Sequence, residues 1–405
     1  MSTVTSTVTT EIVVVGGGPA GLTAAIALAA AGVETTLVAK PPAAADYRTT
    51  ALLAGSVTAL ETLGAWARCA AHAAPLRTIR IVDDTARLLR APEVCFEARE
   101  IGLDAFGQNI ENRFLLAALQ ARARELAALT VIDDEADTIA LDDDGVTVSC
   151  RQGARVSARL AIAADGRQSR CRAAAGIETV TRDYPQSAIT CNLRHRRSHH
   201  DTSTEFHTAH GPFTLVPLAG LRSSLVFVID PDEAPRLAAL PDAELAIEVE
   251  RRSHAILGKI EVEPGRGVFP LRVATAKRLG ARRVALVGEA AHVIPPIGAQ
   301  GLNLGLRDAA TIAEIAADAR REGGDVGAAG VTERYGRMRR TDVTSRTLAV
   351  DLLNRSLLSD FLPVQAARGL GLFLLDRVSP LRRAAMREGV LPRASQPRLM
   401  RGESL

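Results

Sequence analysis

The sequence predicts an α/β protein in which a doubly wound, Rossmann-like domain is interleaved with a mixed β-sheet domain and followed by C-terminal helices. Two observations predict the first domain: a glycine-rich turn between a strand and a helix near residue 16, and a second glycine-rich segment near residue 288. A third observation predicts the second domain, because residues 181–269 contain strand-like runs but no glycine fingerprint.

The first glycine-rich turn has the pattern G-x-G-x-x-G at Gly16, Gly18 and Gly21. It follows the apolar run Ile12–Val15 and precedes an alanine-rich helical run over residues 22–31. In this order the turn predicts a dinucleotide site whose pyrophosphate lies on the helix N-terminus. A packing turn without a ligand would use the same glycines, so the pattern alone leaves both interpretations open.

The second strand departs from the usual dinucleotide pattern. The run Thr35–Ala39 ends at Lys40, where an acidic residue normally accepts hydrogen bonds from the ribose. A lysine can donate to ribose oxygens but cannot accept. The sequence therefore predicts weaker adenosine binding, and it predicts that Lys40→Glu tightens that binding. A Lys40 that attracts a phosphate is the alternative.

The second glycine-rich segment predicts a flavin site. Residues 283–288 have the pattern of a buried strand, and Glu289 at its carboxyl end can accept hydrogen bonds from ribityl hydroxyls. The loop from Pro295 to Gly301 lets backbone N–H groups approach a flat ring. The helix that begins near Gly301 would stabilise an anionic reduced flavin with its positive end. His292 is either a catalytic group or a structural hydrogen-bonding group.

Two further pieces lie between these segments. An Asp-Gly turn at Asp165 follows the strand-like run Leu160–Ala163; taken alone, it would be an ordinary turn that caps a strand. A helix predicted over residues 114–128 follows Arg113, which either pairs with a pyrophosphate or is a solvated arginine. Gln120 lies seven residues further on, on the same helix face.

The bulk properties exclude several classes of protein. A chain of 405 residues with 47% apolar residues predicts two to three domains with a proper core. Five cysteines without zinc or C-x-x-C spacing predict free thiols in a reducing compartment. We find no secretory signal and no apolar run of eighteen residues, so we expect a cytoplasmic protein that does not span a membrane. Five histidines between residues 195 and 210 match no metal motif, and no metal is predicted.

The C-terminal part of the chain differs in charge from the rest. Residues 331–405 carry fourteen arginines and seven carboxylates, a local charge of +7 against −4 for the first 330 residues. Apolar stretches alternate with the arginines and include Phe361, Leu372 and Phe373, which suits a surface of anionic lipids. A helical cap that packs on the main body is equally compatible with this composition. Nucleic acid is not an expected partner, because the region has no binding motif or stacking array.

The four motif blocks, in this order and spacing, resemble the flavin monooxygenases of the p-hydroxybenzoate hydroxylase fold. More closely, they resemble the FAD-dependent hydroxylases of ubiquinone biosynthesis. The closer resemblance rests on Tyr-Arg-Thr-Thr-Ala-Leu at residues 47–52, Ile-Glu-Asn-Arg at 110–113 and the run 300–308, and it covers nearly the whole chain. Two positions depart from the family: its aspartate is here Glu289, and its Ala-Gly-Gln-Gly is Gly-Ala-Gln-Gly at residues 298–301.

The resemblance implies FAD as cofactor, O2 as co-substrate, and NAD(P)H or a protein donor as reductant. It implies that the aromatic ring of a polyprenylated phenol is hydroxylated through a flavin C4a-hydroperoxide. Arg48 would lie beside the isoalloxazine, and Arg48 and His292 are the catalytic candidates. The residues expected at the cofactor are Gly16, Gly18, Gly21, Lys40, Arg48, Arg113, Gln120, Asp165, Glu289, Pro296, Gly298, Gln300, Gly301, Leu302 and Asn303.

Three functions remain open on the sequence. The favoured one is a hydroxylase of ubiquinone biosynthesis that is peripheral on the inner face of the membrane or part of a biosynthetic complex. The second is another FAD enzyme of the same fold, either a soluble aromatic monooxygenase or a prenyl-chain reductase. The third is a non-catalytic assembly partner in such a complex.

The expected domain boundaries follow the motif blocks. The FAD-binding domain would comprise residues 1–75, 100–180 and 270–330, and the C-terminal helical segment residues 331–405. The substrate domain would comprise residues 76–99 and 181–269, with a further strand expected over Thr78–Val82.

Overall fold

The computed structural model describes residues 7–40, 46–85, 90–358, 362–390 and 396–405. Within these ranges the chain forms 22 strands, arranged in four sheets, and ten α-helices. Phe361 lies outside the described residues.

The strands, in chain order, are β1 (Thr7–Thr9), β2 (Ile12–Val15), β3 (Thr35–Val38), β4 (Thr49–Leu53), β5 (Ala74–Pro75), β6 (Thr78–Asp83), β7 (Val94–Glu97), β8 (Gly107–Glu111), β9 (Leu129–Ile132), β10 (Ala136–Leu141), β11 (Val146–Cys150), β12 (Arg155–Ala158), β13 (Leu160–Ala163), β14 (Thr179–His195), β15 (Thr202–Thr208), β16 (Gly211–Leu218), β17 (Arg222–Ile229), β18 (Ile260–Val262), β19 (Gly267–Ala276), β20 (Gly280–Ala281), β21 (Val284–Leu286) and β22 (His292–Val293). The helices are α1 (Pro19–Ala30), α2 (Ala54–Thr62), α3 (Asn112–Ala123), α4 (Arg170–Ala174), α5 (Glu233–Ala239), α6 (Asp242–Arg252), α7 (Gln300–Arg321), α8 (Ala329–Leu358), α9 (Leu362–Arg377) and α10 (Ser379–Val390).

A parallel sheet forms the first half of the molecule. Five parallel strands run in the order β9-β3-β2-β13-β21, and β20 is antiparallel at one edge. Strands β2 and β13 are buried along their whole length, as expected for short apolar strands covered on both faces. Helix α1 connects β2 to β3 and packs against α3 and α7. Strand β2, the first strand of this sheet in chain order, lies at the centre between β3 and β13. This position confirms the predicted doubly wound arrangement.

A nine-stranded mixed sheet forms the second half. Its order is β22-β19-β14-β17-β16-β15-β6-β7, and β18 also pairs with β14. The expected strand over Thr78–Val82 is confirmed, because β6 pairs with β15. Strand β14 changes register between Asp183 and Ser187, around Pro185, which has no N–H to donate to a ladder. Helices α5 and α6 pack on one face over an aromatic cluster of Phe206, Phe213 and Phe227.

Some predicted element bounds differ from the observed ones. Helix α3 begins at Asn112 and ends at Ala123, five residues before the predicted end. Strand β19 crosses the domain boundary expected at residue 270, and β14 begins before residue 181. The nine-stranded sheet therefore takes strand residues from both sides of the predicted boundaries.

The C-terminal helices are partly core and partly surface. Tyr335 of α8 is buried, and its hydroxyl donates to the Leu286 carbonyl oxygen at 2.5 Å. Met386 and Val390 of α10 pack in a cluster with Phe106. Helix α9, in contrast, exposes Leu370, Phe373 and Leu374. No helix in the described ranges combines the length and apolarity needed to cross a bilayer.

Candidate cofactor site

Three turns converge at the carboxyl edge of the parallel sheet. They follow β2, β13 and β21, and glycines allow their close approach. Gly16 has φ +114°, and a Cβ there would lie 2.2 Å from the Ala164 carbonyl oxygen. A Cβ on Gly21 would lie 2.0 Å from the Gly16 carbonyl oxygen, and one on Gly288 would lie 3.4 Å from the Ala20 Cβ. Gly16 and Gly21 of the sequence fingerprint are therefore required by the packing of this edge, apart from any ligand.

Gly18 has a different role from its neighbours. It is the N-cap of α1, Pro19 follows it, and no side chain in the described part of the protein caps the helix. A Cβ on Gly18 would meet no described atom within 4 Å. The described atoms therefore leave open space beside Gly18 at the N-terminus of α1, which fits the pyrophosphate of a dinucleotide.

Asp165 supplies a buried acceptor beside these turns. Its Oδ2 accepts from the Cys171 backbone N–H at 3.1 Å. Its Oδ1 is buried and has no hydrogen-bond donor in the described part of the chain. Because an unpaired buried acceptor is costly, this oxygen fits a hydroxyl supplied by a ligand, such as a ribityl hydroxyl. The contact between Asp165 and FAD stays a prediction.

Glu289 lies in a single helical turn, Gly288–Ala290, directly after β21. Its Oε1 accepts from Arg167 Nη2 at 3.0 Å, and both side chains are about half exposed. The pair borders a cavity of about 310 Å³ that extends to β14 and β19, where Arg272 lines it. A carboxylate at this edge agrees with the predicted position, although it already has a cationic partner.

Arg48 links the cofactor turns to the nine-stranded sheet. Its Nε and Nη2 each donate to Asp46 at 2.8 Å, and Asn112 Nδ2 also donates to Asp46 at 3.1 Å. The hydrogen bond with Asp46 raises the pKa of Arg48, and the charge of Glu289 raises it further. The guanidinium carbon lies 5.9 Å from the centre of the Phe269 ring. Neither Asp46 nor Asn112 was predicted as a site residue, and the hydrogen bond between them joins segments that are distant in sequence.

Arg113 is held in place by charge and by aromatic rings. Its Nη2 lies 2.8 Å from Glu111 Oε2, and its guanidinium carbon lies 5.0 Å from the Tyr47 ring centre and 4.6 Å from that of Phe114. Its Nε is buried without a partner among the described residues. One donor therefore remains for an anion, as the pyrophosphate prediction requires. Gln120 follows on α3 and is half-buried.

The glycine-rich loop before α7 leaves its backbone accessible. Pro296 and Gly298 are exposed, and Gln300 Nε2 donates to the Gly298 carbonyl oxygen at 2.9 Å. Ala299 is the N-cap at φ +54°, and none of the described side chains caps the helix. A helix N-terminus without a capping side chain can place N–H groups and positive potential against a flat, electron-rich ring. Gly301 and Leu302, also predicted at the cofactor, are half-buried in its first turn.

Asn303 was predicted to contact the cofactor, but its side chain is fully engaged by protein groups. Oδ1 accepts from the Leu53 backbone N–H at 2.8 Å and from the Ser56 hydroxyl at 2.7 Å. Nδ2 donates to the carbonyl oxygens of Ala51 at 2.8 Å and Ala299 at 2.6 Å. The side chain therefore ties α7 to β4 and α2, and any contact with a cofactor is left to the backbone.

Lys40 was predicted to face the adenosine ribose, and the structure gives it a carboxylate partner. Lys40 Nζ lies 3.2 Å from Glu135 Oε2. An acidic side chain from the segment after β9 therefore lies beside the residue at the end of β3.

His292 was a candidate for catalysis or for structure, and its surroundings favour the structural role. Its side chain is fully buried, and Nε2 lies 2.6 Å from Asp308 Oδ2. Asp308 also accepts from Arg339 Nε at 2.7 Å and from the Gly288 backbone N–H at 3.1 Å. Burial opposes ionisation of Asp308, but His292 and Arg339 outweigh it and lower the pKa of that carboxyl. The turn that carries Glu289 is therefore held in place by the buried carboxylate of Asp308, which accepts from the Gly288 backbone N–H.

The same buried network extends to the C-terminal helices. Asp342 accepts from Arg307 Nη1 and Arg339 Nη1 at 2.6 Å each. Although burial opposes it, these arginines lower the pKa of Asp342 to about 2. Arg346 donates to Asp342 and to carbonyl oxygens at the end of α10. This network was not predicted, because its members lie on two helices, α7 and α8, that are separate in the sequence.

Several of the histidines in residues 195–210 have side-chain partners within the protein. His195 Nε2 lies 3.0 Å from Ser223 Oγ, and His207 Nε2 lies 2.8 Å from Glu205 Oε1. His210 Nδ1 lies 2.7 Å from Asp230 Oδ2. In the described ranges no group of three or more His, Cys, Asp or Glu side chains is arranged to hold a metal ion.

Comparisons with known proteins identify an FAD-binding family and a shared fold. A family model described as FAD binding domain matches residues 9–344, which is most of the chain. The crystal structure of p-nitrophenol 4-monooxygenase PnpA from Pseudomonas putida has the same fold, with a TM-score of 0.78 and 22% identity. The aligned region covers 96% of this chain and 100% of the PnpA chain.

Two curated relatives are similar along nearly their whole length. Ubiquinone hydroxylase UbiL of Rhodospirillum rubrum is 36% identical, with 98% of this chain and 93% of that protein aligned. The 3-demethoxyubiquinol 3-hydroxylase of Escherichia coli is 31% identical, with 93% of this chain and 97% of that protein aligned. This chain belongs to the FAD-binding domain family and, within it, to the FAD-dependent hydroxylases related to those of ubiquinone biosynthesis, and FAD is its cofactor.

Proposed function

We propose that this protein hydroxylates the aromatic ring of a polyprenylated phenol on the way to ubiquinone. The observation that carries the proposal is the nearly full-length similarity to two hydroxylases whose names place them in that chemistry. The structure supports it, because the FAD-binding turns adjoin a nine-stranded sheet through Arg48 and Phe269. O2 is the proposed co-substrate, and NAD(P)H or a protein donor the proposed reductant.

Separate groups of residues would hold the two ligands. Asp165 Oδ1, the N-terminus of α1 at Gly18 and the Arg113 guanidinium are among the groups that would hold FAD. FAD, once bound and reduced, supplies the activation of O2. Arg48 and Phe269 would then hold the phenol: the ring provides an apolar wall, and the charged guanidinium favours the phenolate form. Asn192 Nδ2 fixes this region by donating to the Tyr47 carbonyl oxygen at 3.0 Å.

We further propose that the protein meets its substrate at a membrane surface, through a C-terminal apolar surface formed by Leu352, Leu370, Phe373, Leu374, Val378 and Leu381. All six side chains are exposed, and they belong to α8–α10 and the link between α9 and α10. Arg355 and Arg377 are among the cations that α8 and α9 contribute. Exposed apolar side chains together with arginines suit an interface that contains anionic lipid.

A groove of about 540 Å³ between α8 and α9 adds to this proposal. Leu352, Leu353, Val364 and Ala367 line it, with Arg368 beside them. Its apolar walls suit an isoprenoid chain. A polyprenylated phenol resides in the bilayer, so the enzyme needs a surface of this kind or a partner protein that delivers the substrate.

Quinone analysis of a deletion strain tests the proposed reaction. We expect ubiquinone to fall and a polyprenylated intermediate that lacks one ring hydroxyl to accumulate, and the intermediate identifies the ring position. Complementation with the wild-type gene is the control. An unchanged quinone profile would contradict the proposal and favour a soluble aromatic compound as substrate.

Anaerobic mixing of the purified holoenzyme with NADH or NADPH identifies the reductant. Bleaching of the flavin absorbance near 450 nm at a rate that supports turnover is expected if a nicotinamide is the donor, and no bleaching indicates a protein donor.

A further inference from the structure

The strands β3 and β9 place two segments side by side where the adenosine of FAD is expected. They are parallel neighbours, with Val38 opposite Ile132, and the Ala39 backbone N–H continues the ladder by donating to the Ile132 carbonyl oxygen at 3.0 Å. The residues after Val38 and after Ile132 therefore leave the sheet together, at its carboxyl edge. In a dinucleotide fold this edge binds the adenosine ribose.

The segment after β9 brings a carboxylate to this edge. Glu135 Oε2 lies 3.2 Å from Lys40 Nζ, and Oε1 lies 3.2 Å from Arg151 Nη2. The main chain is fixed as well, because the Arg151 backbone N–H donates to the Glu135 carbonyl oxygen at 2.9 Å. A carboxylate offers about four lone-pair positions. With one cation on each oxygen and a side chain that is 33% exposed, Glu135 can still accept from a ligand.

We propose that Glu135 replaces the missing acidic residue at the end of β3 and accepts hydrogen bonds from the adenosine ribose hydroxyls of FAD. Lys40 and Arg151 act as positioning residues that orient the carboxylate. The acceptor follows β9, the third strand of the parallel sheet in chain order, instead of β3, the second. It still lies at the carboxyl edge of the sheet. This inference rests on FAD binding and is independent of which phenol the enzyme uses.

The proposal reverses the effect expected for a substitution at Lys40. On the sequence alone, Lys40→Glu restores an acceptor and tightens FAD. In the structure it would place two carboxylates side by side and remove the cation that orients Glu135, so FAD binding becomes weaker. The charge swap Lys40→Glu/Glu135→Lys returns one acceptor and one cation to the same edge. It should bind FAD more tightly than either single variant.

FAD binding to the flavin-free protein, followed by quenching of flavin fluorescence, tests the proposal. The probes are FAD and an analogue whose adenosine lacks both ribose hydroxyls. We expect Glu135→Ala to bind FAD about tenfold more weakly than the wild type, the scale of one charge-assisted hydrogen bond. The wild type should prefer FAD over the analogue by a similar factor, whereas Glu135→Ala should bind both alike. Glu135→Gln, which keeps the shape of the side chain, should lie between these limits.

The matched control is Glu93→Ala, which removes another surface carboxylate from an arginine pair, 2.7 Å from Arg80. It should leave both affinities unchanged. Melting temperatures of the flavin-free variants show whether each is folded, and Glu135→Gln or the charge swap replaces Glu135→Ala if that variant is not. The proposal is overturned if Glu135 variants distinguish FAD from the analogue as the wild type does, or if Lys40→Glu tightens FAD.

Discussion

Helices α7 and α9 distribute their side chains in opposite ways. Helix α7 buries polar groups, including Asn303, Arg307 and Asp308, and all three are bonded to other parts of the protein. Helix α9 exposes apolar groups, including Leu370 and Phe373, and its described residues are half-buried or exposed. Buried polar and exposed apolar residues are the informative departures from ordinary packing. In α7 they fix the turns around FAD, and in α9 they leave an apolar surface without cover from the described residues.

Removal of a buried charge from α7 should have the largest effect on stability. Asp308→Asn leaves Arg339, whose side chain is fully buried, without one of its two carboxylate partners and weakens the bond to His292. We expect a loss of about 3–5 kcal/mol in the free energy of unfolding, the range for breaking a buried ion pair. Urea unfolding of the flavin-free protein measures it.

The control for this variant is Asp318→Asn, on the same helix. Asp318 pairs with Arg321 and Arg398 nearer the surface, so its loss should cost no more than about 1 kcal/mol. If the two variants lose the same free energy of unfolding, the buried ion pairs of α7 contribute no more to stability than its pairs nearer the surface.

The second prediction separates FAD binding from folding. In Gly18→Val the new side chain enters space that the described protein atoms leave open, so the flavin-free protein should remain folded. FAD affinity should fall about a hundredfold or more, because the side chain occupies the approach to the α1 N–H groups. Flavin content after purification and titration of the flavin-free protein measure the loss.

Gly16→Ala is the companion variant. Its Cβ would overlap the Ala164 carbonyl group, and its φ of +114° is unfavourable for alanine. It should therefore lose both stability and FAD. Unchanged flavin content in Gly18→Val would contradict the assignment of this turn to the pyrophosphate.

In the parallel sheet and its turns, the sequence predicted those features whose signals lie within one short segment of the chain. The runs at Ile12–Val15 and Leu160–Ala163 are short, apolar and followed by turns, and their bounds were correct to the residue. Contacts between segments distant in sequence were not predictable. The Asp308–Arg339 pair joins α7 to α8, and local periodicity carries no information about that packing. The proximity of Glu135 to Lys40 was not predictable either, because it depends on the pairing of β3 with β9.

The third prediction concerns pH and tests whether the α7–α8 network is ionised in the folded protein. The folded-state pKa of Asp342 is about 2, below its ordinary value of 3.8. A lowered carboxyl pKa gives stability that is present above pH 4 and is lost as pH falls toward 2. The contribution is about 2 kcal/mol at neutral pH.

Asp342→Asn isolates this contribution. Its stability should fall less steeply than that of the wild type between pH 4 and pH 2, as measured by chemical unfolding at each pH. Parallel curves for the two proteins would show that Asp342 does not contribute through its charge.

The smallest expected effect on stability belongs to α9, and it sharpens the contrast with α7. Leu370→Ser/Phe373→Ser replaces two side chains that are 57% and 45% exposed, so the free energy of unfolding should change by no more than about 0.5 kcal/mol, and flavin content should not change.

Binding of this α9 variant to anionic vesicles should weaken, because these side chains would enter the interface while the arginines provide the attraction. Wild-type binding should itself fall as salt is added. Leu221→Ser/Ile247→Ser is the matched control, since those side chains are 49% and 60% exposed outside the C-terminal helices. Co-sedimentation with vesicles of phosphatidylglycerol and phosphatidylcholine compares the proteins. Unfolding or loss of FAD in the α9 variant would show that these residues pack as core, and unchanged vesicle binding would show that the substrate reaches the enzyme by another route.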